Sequence, residues 1–188
     1  MLNTIRLSAT WQSLFFLSAA VLGTAVLARL SARYGWARRL AKPALALYAL
    51  AVAFVTLLSR EPSPVRFVRL NLFRSYRSAF RSVVRYNRNR KTILPRVNWT
   101  MREMILNVVL FVPVGALLAC LFPRMRPVKA ALAGLLSSLA IEVAQAVFRL
   151  GVFDVCDLVH NTLGTVLGFY LYRRLESAAK RKALRPCA

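Results

Sequence analysis

What constrains this chain most is a series of long, predominantly apolar runs at about 11–30, 40–58, 104–122, 128–150 and 157–172. A helix needs roughly 20 residues to cross a bilayer core about 30 Å thick. The first four runs meet that length. The fifth is shorter and opens on polar residues. In lipid the backbone must satisfy its own hydrogen bonds, so each crossing is expected to be helical. The fold class is therefore all-α: a polytopic membrane bundle of about five transmembrane helices. Pro113 lies inside the third run, where a kink is expected. Gly164 and Gly168 form a small-xxx-small pair in the fifth. Such a pair lets another helix approach closely and is a candidate helix–helix partner contact.

Composition narrows the function classes. Among 188 residues, 28 Lys and Arg oppose 6 Asp and Glu, a formal charge of +22, yet 58% of residues are hydrophobic. That hydrophobicity excludes a disordered basic tail. A soluble DNA-binding domain would not need such apolar runs, so no nucleic-acid partner is expected. One His and three unpaired-looking cysteines (Cys120, Cys156, Cys187) give no basis for a disulfide framework or a zinc site. No cofactor is expected.

Charge placement suggests an orientation. Only Arg6 precedes the first run, whereas Arg29, Arg33, Arg38, Arg39 and Lys42 surround its end and the start of the second. This argues against a cleaved leader. Short basic segments tend to stay in the cytoplasm. Arg124, Arg126 and Lys129, and the cations of 173–188, fall on the same side as the first loop in a five-span chain. The expectation is a multi-pass plasma-membrane protein with its N-terminus outside and C-terminus inside. Four regions follow: two spans in 1–58, a basic connection in 59–103, a three-span core in 104–172 and a basic tail in 173–188.

The connection opposes that orientation, with 12 Lys and Arg between Ser59 and Glu103. Long segments follow the charge rule less reliably. Phe73, Tyr76, Phe80 and Val84 recur at helical spacing, and Arg74, Arg77, Arg81, Arg85 and Arg88 form an adjoining stripe. A basic amphipathic helix on the membrane surface is expected here, its arginines meeting lipid phosphates.

Ionisable groups at membrane depth are expensive and usually functional. Glu142, Gln145 and Arg149 share one helix face, as do Asp154, Asp157 and Asn161. Asn107 lies near the start of the third run. Alternation of the spans puts all of these toward the leaflet that borders the basic stripe, whichever leaflet that is. Asn107, Glu142, Gln145, Asp154, Asp157 and Asn161, with Arg74, Arg77 and Arg81, are thus the candidate ligand-binding residues. Three uses remain open: pairing of Arg149 with Glu142 and an Asp to fix helix packing, binding of a lipid headgroup, or acid–base chemistry on a metal-bridged lipid phosphate. No catalytic residue or resident metal is assigned, because no Ser/His/Asp or Cys/His set is present. His160 and Cys156 read as packing residues.

The stretches Asn107-Val-Val-Leu-Phe-Val-Pro-Val-Gly115, Ser138-Leu-Ala-Ile-Glu142-Val-Ala-Gln145 and Gly151-Val-Phe-Asp154-Val-Cys-Asp157-Leu-Val-His-Asn161-Thr-Leu-Gly164 resemble the VanZ-like family of bacterial membrane proteins, in the family's order and spacing. The resemblance covers about 71–172. Here Asn71-Leu72-Phe73-Arg74 lacks the Pro usual before the family's long loop, and Val152 stands near a usual Arg. The resemblance implies membrane placement, the motif positions named above and a link to teicoplanin susceptibility, with which the family's namesake is associated. The favoured role is non-enzymatic: engagement of membrane lipids, anionic or lipid-linked cell-wall precursors, at the polar site. A metal-assisted transferase or hydrolase and an accessory subunit of a membrane complex are the alternatives.

Overall fold

The computed structural model describes residues 2–58, 67–71, 76, 77 and 99–183. Five helices carry the fold: α1 (Leu2–Arg33), α2 (Gly35–Ala53), α3 (Trp99–Leu121), α4 (Pro127–Phe148) and α5 (Val155–Ala183). A π-helical turn, Phe54–Leu58, continues α2. The all-α class holds. Among the described residues, three stretches, Gly35–Leu57, Met101–Leu121 and Pro127–Phe148, are long and apolar enough to cross a membrane. α3 runs through Pro113 without a break, and α5 continues past Tyr172 into the basic tail.

α5 is the central element. It packs most closely on α3, then on α4 and α1, while α2 leans on α3. Glycines make the α3–α5 contact possible. A Cβ on Gly168 would lie 1.9 Å from the Val112 carbonyl oxygen, one on Gly164 2.1 Å from that of Val108, and one on Gly115 1.8 Å from that of Thr165. Only hydrogen fits at these points, so the two helices meet backbone to backbone. The helix that Gly164 and Gly168 admit is α3 of the same chain.

The core lies toward the far end of this contact. Ala28, Ala41, Ala116, Ala119, Cys120 and Ala130 cluster around Phe169 and Tyr172. The small side chains let four helices reach the two rings. By contrast Leu47, Leu50, Leu136, Val147 and Phe148 are exposed. An apolar surface on this scale suits hydrocarbon and not water.

One feature is not helical. β1 (Phe67–Arg69) pairs in parallel with β2 (Val152–Asp154), with Arg69 opposite Asp154. This two-stranded ladder ties the long connection to the turn between α4 and α5.

Candidate functional site

The polar cluster gathers at one end of the bundle: the C-terminal ends of α2 and α4, the N-terminal ends of α3 and α5, and the β pair. Its centre is the α4–α5 turn. α4 stops at Arg149, whose φ of 59° is left-handed, and the Arg149 and Leu150 amides both bond the Gln145 carbonyl. The chain thus reverses within a few residues and returns as β2. Arg149 is exposed and forms no ion pair among the described residues. The pairing with Glu142, one of the uses left open by the helical spacing, is not among the ion pairs of the described residues, and Arg149 instead holds the left-handed turn.

Glu142, only 2% exposed, instead accepts a hydrogen bond from the Asp154 backbone amide at 2.8 Å. Asp154 precedes the first residue of α5 and caps it: the Cys156 amide donates to Asp154 Oδ1 at 2.9 Å. The other carboxylate oxygen of Asp154 stands 3.8 Å from Arg69 Nη1. So Asp154 joins strand, helix and α4 at once.

Gln145, also buried, donates to the Thr56 carbonyl at 3.0 Å. That carbonyl lies in the π turn, near a helix end where backbone oxygens lack intrahelical partners. Asn161 donates to Ser138 Oγ at 2.8 Å. Its carbonyl oxygen is buried and has no partner among the described residues. Asp157 sits half-buried in the first turn of α5. Asn107 is half-buried on α3, next to the Val108 carbonyl that abuts Gly164.

Of the basic stripe, Arg77 is described and exposed. Arg74 and Arg81 lie outside the described residues, as does most of the expected amphipathic helix. Its neighbour Tyr76 reaches the bundle: the hydroxyl lies 3.0 Å from His160 Nε2, with the rings 5.6 Å apart. Burial, with a smaller effect of Cys156, pushes the Tyr76 phenol up, so it stays a neutral hydroxyl at physiological pH.

Sequence reasoning missed Arg69, Thr56, Ser138 and Thr165. Arg69 sits in the run Val65-Arg66-Phe67-Val68-Arg69, whose β-branched and aromatic residues were the available strand signal. Thr165, fully buried, lies against Gly134 of α4 and back-bonds to Asn161. Nothing distinguishes it in sequence from an apolar filler.

The described groups of this site offer hydrogen bonding and charge. Among the described residues, no three His, Cys, Asp or Glu side chains lie close enough to hold a metal ion. Glu142 and Asp154 are spent on backbone amides and on Arg69. What faces outward is the Arg69 guanidinium, 62% exposed and positioned beside its carboxylate.

A family model described as VanZ/LLP1 matches residues 45–176, from within α2 to the last turns of α5. Protein VanZ of Enterococcus faecium is 35% identical over 104 residues, 55% of this chain and 65% of that relative. The chain thus spans just under two thirds of the length of the relative it matches. No solved structure matches it. The family match covers α2 to α5 and every residue of the polar cluster, and the chain belongs to the VanZ/LLP1 family.

Proposed function

We propose that this membrane protein acts at the cell envelope, binding the phosphate or pyrophosphate headgroup of a lipid or lipid-linked cell-wall precursor at its polar end. The observation that carries this reading is Arg69, an exposed guanidinium held by strand pairing beside Asp154. Arg149, in the turn that leads to β2, is exposed at the same end. A planar guanidinium is well suited to bidentate contact with phosphate. Asn107 and Asp157 are half-buried at the same end of the bundle, and Asn161 is buried there. Arg77 of the basic stripe, also exposed, adds positive charge at this end.

In this reading the chain crosses the plasma membrane five times, N-terminus outside, and the polar end faces the outer leaflet, where exported precursors lie. A contribution to teicoplanin susceptibility follows from engagement of such precursors. The test is native mass spectrometry of the purified chain with a polyprenyl pyrophosphate and the matching polyprenol. Preferential retention of the pyrophosphate, reduced about tenfold in Arg69→Gln, supports the reading. Equal retention of both lipids overturns it.

Topology is tested in cells. With Cys120, Cys156 and Cys187 replaced by Ser, single cysteines at Ser78 and Ser177 are exposed to an impermeant thiol reagent. Labelling at Ser78 alone supports the outer-leaflet site. Labelling at Ser177 alone moves it to the cytoplasmic face, where an exported ligand is inaccessible.

A further inference from the structure

The end of the bundle opposite the polar cluster is almost entirely cationic. Residues 29–42 carry five Lys or Arg, 124–129 carry three and 173–183 carry five. These three stretches meet in space: Ser31 bonds Tyr172 at 2.7 Å, Arg38 pairs with Glu176, and Arg173 donates to the Phe122 carbonyl at 3.1 Å. Glu176 is the sole carboxylate in these stretches. It is 5% exposed and already holds Arg38 and Lys180. The surface at this end therefore presents cations with no exposed acid among the described residues to neutralise them.

Within this surface lies an open crevice of about 440 Å³. Leu121, Phe122, Pro123 and Met125 give it an apolar floor, and Arg124 and Lys129 stand at its edge. Arg173 braces the same turn, its guanidinium carbon 5.1 Å from the centre of the Phe169 ring. Phe122, Arg124 and Lys129 are all exposed. An apolar floor edged by two cations, at the level where membrane helices end, complements a molecule with a hydrocarbon part and an anionic head.

We infer that this crevice is a binding site for an anionic phospholipid, in the leaflet opposite the polar cluster. The acyl and glycerol portion lies on Phe122, Pro123 and Met125. The phosphate is held by Arg124 and Lys129. The volume is of the size ordinary ligand clefts have and is too large for a single ordered water. Basic pockets between membrane helices are a known way of holding such headgroups.

The experiment is native mass spectrometry of the full chain in mild detergent with phosphatidylglycerol or with phosphatidylcholine of the same acyl chains. We expect retention of phosphatidylglycerol over phosphatidylcholine. The double variant Arg124→Gln/Lys129→Gln should weaken it roughly thirty-fold, the effect of two cations near an anionic group. Arg181→Gln/Lys182→Gln removes the same charge outside the crevice lining and should change retention less than threefold, because the attraction falls off within a Debye length. Arg69→Gln, at the other end, leaves phosphatidylglycerol unaffected, which separates this site from the one proposed above. Equal losses in the two double variants would reduce the effect to diffuse charge and overturn the site. So would the absence of lipid preference, or full displacement by inorganic phosphate at the lipid's own concentration.

Discussion

Glu142 and Asp154 are joined by one hydrogen bond, in which the Asp154 amide donates to Glu142 Oε2 at 2.8 Å. The bond fixes β2 and the start of α5 to α4. It explains how a carboxylate is tolerated almost fully buried in an apolar bundle: it has a donor. Glu142→Gln keeps an acceptor oxygen and should cost about 1 kcal/mol. Glu142→Ala leaves the amide unmatched and opens a void, and should cost about 3 kcal/mol. Thermal unfolding in mild detergent checks the order. Equal losses in the two variants would mean that the negative charge, lost in both, and not the acceptor or the volume, is what Glu142 contributes.

The α3–α5 contact sets a steric expectation. Gly168→Ala places a methyl 1.9 Å from the Val112 oxygen, where no flexible side chain can give way. We expect a loss of about 3 kcal/mol or failure to accumulate. Gly23→Ala, with nothing within 4 Å of the added carbon, should be neutral or gain up to about 1 kcal/mol from helix propensity. Expression level and unfolding temperature of the pair decide it.

Glu176 predicts a pH dependence. Burial pushes its carboxyl up, but bonds to Lys180 and Arg38 outweigh this and hold it below the ordinary value of 4.5. A depressed pKa contributes stability that is present above the unfolded value and is lost as pH falls through the folded one. The unfolding temperature should therefore be level from neutral pH to about 5 and decline below about 4. Glu176→Gln should flatten that acid limb and cost about 2 kcal/mol at neutral pH, since Arg38 is partly solvated. An unchanged acid limb in the variant would place the titrating group elsewhere.

Arg149 occupies a left-handed position that costs an L-residue about 1 kcal/mol or more. Part of that is returned by the greater freedom glycine has when unfolded. Arg149→Gly should therefore stabilise by about 0.5 kcal/mol, and Arg149→Val should destabilise by more than 1 kcal/mol. A loss in the glycine variant would show that the guanidinium, and not the backbone, is what this position supplies.

The helices were legible because apolar runs of bilayer length admit little else, and the alternation of spans was enough to bring Glu142, Gln145, Asp154 and Asn161 to one end. The partners of those residues were not. Gln145 and Glu142 bond to backbone groups, Thr56 O and Asp154 N, which leave no trace in side-chain spacing. The β1–β2 pair joins segments far apart in the chain through three residues each, too short for a periodic signal. Glu176 falls within the basic tail of 173–188, and nothing in its spacing marks it as buried. Only the approach of Arg38 from α2 reveals it as buried.

The backbone-to-backbone seam between α3 and α5 has a mechanical consequence. The carbonyls of Val108 and Val112 sit in the notches left by Gly164 and Gly168. Sliding one helix along the other would drive those oxygens into larger side chains, so the helices would have to separate first. The pair is a rigid spine. Any rearrangement at the polar end falls to elements outside this seam: α2, held by Tyr48 to the Leu110 carbonyl at 2.8 Å and by the Thr56 carbonyl to Gln145 of α4, and the strand bearing Arg69. The polar end of this protein is thus joined to a seam that resists sliding.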